Sequence, residues 1–119
     1  MKWNNLKNVE QLEQIDEESK TLPVLIFKYS SICGVSSMVL NRLETKWKDE
    51  YITLFKPYFL DLIAYRKISN EVASHYGVTH ESPQVILISG GISIYHNSHS
   101  GIRLEEIVEE AAQHSTKKS

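Results

Sequence analysis

The stretch that decides the fold is VLIFKYSSICGVSS, residues 24–37. Val24 to Tyr29 is a continuous, partly β-branched apolar run directly after Pro23, the pattern of a strand covered on both faces. Ser30 and Ser31 follow, and serine is a residue type that starts helices. Val35, Val39, Leu43 and Trp47 then recur four apart, with Arg42, Glu44, Lys46 and Lys48 between them, which predicts a helix from about Cys33 to Lys48. Strand, short turn and amphipathic helix make the opening of a βαβ unit, whose strands are parallel and joined by a right-handed crossover.

On the N-terminal side, Leu6, Val9, Leu12 and Ile15 recur every three residues and predict a first helix ending near Lys20. On the C-terminal side, Thr53 to Ile63 is rich in aromatic and β-branched residues and predicts a second strand, beginning after Pro57. Ile68, Val72, Ala73 and Tyr76 mark a third helix that Gly77 can close in a left-handed conformation. A third apolar run, ESPQVILIS (Glu81 to Ser89), leads into Gly90-Gly91, a two-residue hairpin turn, with Ile92 to His96 as the returning strand. Leu104, Ile107, Val108 and Ala111 form the inner face of a last helix, and Glu105, Glu106, Glu109 and Glu110 its wet face. The order α-β-α-β-α-β-β-α predicts one α/β domain over residues 1–114, a central four-stranded mixed sheet flanked by helices. Ser115 to Ser119 is expected to be a flexible polar tail.

With 119 residues, 41% hydrophobic and 24% charged, the chain has the profile of one soluble globular domain. A net charge of -2 offers nothing to a phosphate backbone, so no nucleic-acid partner is expected. The N-terminus has no apolar run after it, and the apolar stretches are too short to span a bilayer, so no membrane partner is expected either. The expected compartment is the cytoplasm. A single cysteine agrees, because it excludes an internal disulfide framework and a thiolate-rich metal site within one chain.

That cysteine, Cys33, opens the best-defined helix directly after a buried strand. The first turn of a helix carries unpaired N–H groups and partial positive charge, and both favour a thiolate. Helix-start cysteines in redox motifs titrate about 1 to 5 units below the free value near 8.5. No lysine or histidine is adjacent to Cys33, so the helix end must supply the shift. The competing reading is a small buried apolar residue. The small polar neighbours Ser31, Gly34 and Ser36 favour an open, reactive turn instead.

Pro83, preceded by Ser82, stands at the start of a buried strand. From the residues alone a trans proline is the expectation, since cis is the minority state. A cis bond would leave the backbone of Ser82 free to pair with a visitor. His96 and His99 read as a polar loop rather than a metal site, with no cysteine or carboxylate nearby in sequence. His75 and His80 read as surface residues, and Trp3 and Trp47 as packing residues. No Gly-x-Ser-x-Gly elbow exposes Ser36 as a hydrolase nucleophile.

Taken together, VLIFKYSSICGVSS and ASHYGVTHESPQVILISGG (residues 73–91) resemble the thioredoxin superfamily, which sets a cis-proline beside its reactive cysteine. Within it, the Cys-x-x-Ser motif, HESPQV and HNSHSGI resemble the YtxJ-like family, the monothiol bacilliredoxins of bacillithiol-using Gram-positive bacteria. That family usually carries Thr-Cys-Pro-Ile/Val-Ser; here Ile32 and Gly34 replace the Thr and Pro, a departure that bears on the tuning of the thiolate.

The resemblance implies that Cys33 removes bacillithiol from bacillithiolated client proteins and carries it until a second thiol, from bacillithiol or another protein, resets the enzyme. Ser36, at the place of a resolving cysteine, cannot close an internal disulfide. No bound cofactor is implied; bacillithiol is a co-substrate. Gly34 and Val35 would offer backbone amides, and Ser82, before Pro83, would offer backbone groups to the bound thiol. Ser98, His99, Ser100 and Gly101 precede the last helix, whose N-terminus could seat the malate carboxylate of bacillithiol; plain capping by Ser100 is the alternative. Two other classes stay open: a non-enzymatic binding module and a sensor modified at Cys33.

Overall fold

The computed structural model describes residues 1–114. In chain order its elements are β1 (Asn4–Asn5), α1 (Gln11–Glu18), β2 (Val24–Tyr29), α2 (Gly34–Lys46), a 3-10 turn (Asp49–Thr53), β3 (Lys56–Asp61), α3 (Arg66–Tyr76), β4 (Gln84–Ser89), β5 (Ile92–Ser98), a second 3-10 turn (His99–Gly101) and α4 (Leu104–Gln113). The strands form one sheet in the order β1-β3-β2-β4-β5.

β2 is central because every residue from Val24 to Lys28 is buried, as the unbroken run requires. It pairs parallel with β3, Val24 opposite Lys56, and antiparallel with β4, Val24 opposite Ile88 and Lys28 opposite Gln84. Its side chains alternate between two cores. Ile26 joins Ile15, Leu60 and Val72 on the α1 and α3 face, while Phe27 joins Val39, Leu43 and Ile107 on the α2 and α4 face. Trp3 stacks on Phe27 at 5.6 Å between ring centroids, and Trp47 meets Phe55 edge-on at 5.7 Å, so both indoles pack as expected.

The sheet has five strands where the pattern gave four. The addition, β1, is two asparagines long and pairs parallel with β3, Asn4 opposite Tyr58. Its Asn4 Nδ2 donates to the Pro57 carbonyl at 3.1 Å. Backbone and amide bonding, not apolar patterning, makes this strand. The first helix is also shorter than its periodicity suggests. Leu6 fills the core from the segment after β1, and Val9 is exposed.

β3 begins at Lys56 rather than after Pro57, and β5 runs two residues past His96. Gly77 closes α3 at φ 65°, and Gly90 and Gly91 turn the hairpin at φ 61° and 78°, the two positive values that a primed turn needs. Among the described residues no helix is long and apolar enough to cross a membrane. The expected tail, Ser115 to Ser119, lies outside the described residues.

Candidate active site

Cys33 is the N-cap residue of α2, in extended conformation at φ -112° and ψ 117°. Its amide donates to the Ser30 carbonyl at 3.1 Å, which curls the end of β2 into the helix. The sulfur is partly exposed, and Ile32 beside it is 83% exposed. The amide of Ser36 holds the thiol below its ordinary range; burial opposes this, and the Val35 amide and Ser36 hydroxyl add to the lowering. No lysine or histidine contributes; the helix start supplies the shift.

Ser36 itself is fully buried, not part of an open turn. It sits in the first turn of α2 and points under the loop, where its Oγ accepts from the Ser30 amide at 3.2 Å. One hydroxyl thereby ties the strand end to the thiol. Gly34, at the first helical position, has open space where a side chain would begin.

Three segments meet at this end of the sheet because β2, β4 and β5 are neighbours. Lys28 is opposite Gln84, and Gln84 is opposite Ser98, so the end of β2, the start of β4 and the end of β5 lie side by side. One step beyond Lys28 and Gln84 come Tyr29 and Pro83. The Ser82–Pro83 peptide is cis, which corrects the trans expectation drawn from the residues alone. The Pro83 carbonyl accepts from the His99 amide at 2.9 Å, and His99 Nε2 faces Glu81 Oε1 at 3.3 Å. Among the described residues, the buried Oγ of Ser82 has no hydrogen-bond partner.

The third segment is held by its neighbours. Asn97 Oδ1 accepts from the Ser98 amide at 2.8 Å, and its Nδ2 donates to the Gly101 carbonyl at 2.9 Å. A Cβ on Gly101 would stand 3.1 Å from Asn97 Oδ1, so glycine lets this loop close. Arg42 on α2 donates to the carbonyls of Ser100 and Ile102 at 3.0 and 2.9 Å.

Ser100 does not cap the last helix. The N-cap is Arg103, and the first turn of α4 carries Glu105 and Glu106. Glu105 is held below the usual carboxylate range by its own backbone amide first, then by Lys46. The Glu105 carboxylate therefore already faces an amide at the start of α4.

The family model of the monothiol bacilliredoxin BrxC matches residues 4–107. The chain belongs to that family. Among solved structures, the chain is similar to a thioredoxin-fold protein described as an oxidoreductase, at 25% identity and a TM-score of 0.75, over 90% of this chain and 91% of that one. It also resembles Malassezia sympodialis thioredoxin, at 16% identity and a TM-score of 0.72 over 97% and 92% of the two chains. Fasciola hepatica thioredoxin matches at 19% identity and a TM-score of 0.68 over 94% and 99%. The thioredoxins establish the fold; family and fold together make the chain a thiol–disulfide oxidoreductase.

Sequence reasoning missed several residues that shape the site. Arg42 and Asn97 read as ordinary polar positions, yet they set the β5–α4 loop. His80 is not a plain surface residue, because its Nδ1 faces Lys28 Nζ at 3.2 Å. Lys28 was hidden inside an apolar run. The signal was its charge, on a strand whose other residues through Phe27 are apolar.

Proposed function

We propose that this chain removes bacillithiol from protein mixed disulfides by a monothiol route. The Cys33 thiolate attacks the bacillithiol sulfur of the client's mixed disulfide. A Cys33–bacillithiol S–S bond forms, the client S–S bond breaks, and the client sulfur leaves as a thiolate that takes a proton from water. A second bacillithiol thiolate then attacks the carried bacillithiol, releasing oxidised bacillithiol and the Cys33 thiolate. Bacillithiol is thus co-substrate and reductant, and no bound cofactor is required.

The observation that carries this reading is the lone sulfur at the α2 N-cap, faced by the amides of Val35 and Ser36, with buried Ser36 where a dithiol enzyme has its second cysteine. Gly34 lets the first turn open towards a visitor. The backbone of Ser82, beside cis-Pro83, would pair with the bound thiol. Ser98, His99, Ser100 and Gly101, the loop before α4, would seat the malate end. Partners are bacillithiolated client proteins and the free low-molecular-weight thiol, met in the cytoplasm, where thiols are kept reduced.

The test is transfer of mass. Incubated with a bacillithiolated client, the protein should gain the bacillithiol mass on Cys33 while the client thiol is freed, and Cys33→Ser should do neither. No transfer would favour a binding module. An adduct formed directly from oxidant and bacillithiol, without client turnover, would favour a sensor.

A further inference from the structure

Lys28 is fully buried at the last β2 position paired with β4. Its Nζ donates to the Ser69 carbonyl and to His80 Nδ1, both at 3.2 Å. Ser69 Oγ lies 3.4 Å from the same ring nitrogen. Across the ladder, Gln84 Nε2 donates to the Thr79 carbonyl at 2.9 Å, while the buried Gln84 Oε1 has no partner among the described residues. Ser69 and Gln84 are as buried as Lys28. Among the described residues no carboxylate pairs with the ammonium, and burial lowers its pKa to about 8. Burial first, then the charges of Lys28 and Arg66, keep His80 below its usual range, which favours the neutral ring with Nδ1 as acceptor.

A buried cation without a counter-charge is a poor way to stabilise a core, and an apolar side chain of the same length would serve better. What this one does is reach the loop that enters β4. Thr79 and His80 are gripped from the sheet side by Gln84 and Lys28, and Glu81 is met from the other side by His99. We propose that Lys28 is a positioning residue: through His80 it holds residues 79–82 so that the Ser82 backbone meets the disulfide bound at Cys33. It touches no reacting atom. Its activity readout rests on the thiol-exchange reading above; its structural readout does not.

Three variants test it: Lys28→Met, His80→Leu and His80→Asn, the last keeping an acceptor near the Nδ1 position. Amide hydrogen exchange reads the loop, iodoacetamide reads the intrinsic reactivity of Cys33, and a bacillithiol–peptide mixed disulfide reads transfer. Lys28→Met and His80→Leu should speed exchange of the Glu81 and Ser82 amides by about tenfold or more. They should slow transfer by about tenfold and leave iodoacetamide alkylation within about twofold of wild type. His80→Asn should stay near wild type, and the double variant Lys28→Met/His80→Leu should be no worse than either single.

Unchanged loop amides and unchanged transfer in Lys28→Met would overturn the proposal. So would equal losses of alkylation and transfer, which would place the effect on the sulfur. If Lys28→Met does not fold, the contrast between His80→Leu and His80→Asn decides the same point. If the wild type transfers no bacillithiol, the functional reading fails, and loop exchange alone still decides the role of Lys28.

Discussion

At the hairpin end of the sheet, Ser19 is fully used. Its carbonyl accepts from the Gly90 amide and its hydroxyl from the Gly91 amide, each at 2.8 Å, and the hydroxyl donates to the Asp16 carbonyl at 2.8 Å. At the Cys33 end, buried Ser82 Oγ has no partner among the described residues, Ile32 is exposed, and His99 adopts φ 56°. One end spends its polar groups on holding helix to turn. The other keeps backbone and sulfur available, and its loops are braced from behind by Arg42, Asn97 and Lys28. Stability and reactivity are thereby separated along one sheet.

That separation can be broken from either end. Ser19→Ala should have the largest effect on stability. It leaves the Gly91 amide without its acceptor in a closed turn and costs about 1–3 kcal/mol, read as a lower denaturation midpoint with Cys33 alkylation unchanged. Ser36→Ala crosses the divide, because it removes a group facing the thiol and the acceptor of the Ser30 amide. The Ser36 amide, the first cause of the lowered Cys33 pKa, stays in this variant, so the pKa should rise only slightly and alkylation near neutral pH fall by less than about twofold, with a loss of stability of about 1 kcal/mol.

Lys28→Met sharpens the comparison through pH. The folded pKa of Lys28 is depressed to about 8, below the unfolded value near 10.4. The penalty of its buried charge is therefore complete below pH 8, and it is relieved as the folded lysine deprotonates towards the unfolded value. The variant's stability advantage should be greatest at neutral pH and shrink as pH rises through that window, read by denaturation at several pH values. Gly34→Ala should have the smallest effect, a gain of about 0.5–1 kcal/mol, since a Cβ there meets nothing within 4 Å.

Much of this was written in local pattern. Residues 24–37 disclosed a buried strand, a turn and a helix because burial on both faces leaves an apolar run and an amphipathic helix leaves a period. The hairpin was legible in Gly90-Gly91 because few other pairs accept two positive φ values. β1 was not legible, since two asparagines joined by backbone pairing leave no apolar trace. The cis state of Ser82–Pro83 was not legible either, since cis is the minority state for any proline, and only the family likeness implied it. Capping of the last helix by Ser100 stayed open because serine is a capping residue, whereas Arg42 and Asn97 hold its neighbourhood in a 3-10 turn and the N-cap is Arg103. Lys28 was overlooked because its meaning lies in His80, 52 residues later.

The account stands on ionisation of Cys33, and iodoacetamide alkylation followed across pH measures it directly. The folded protein should show a midpoint below that of the same chain unfolded in denaturant, where the Val35 and Ser36 amides no longer face the sulfur. A folded midpoint equal to or above the unfolded one would contradict the claim that the start of α2 stabilises the thiolate.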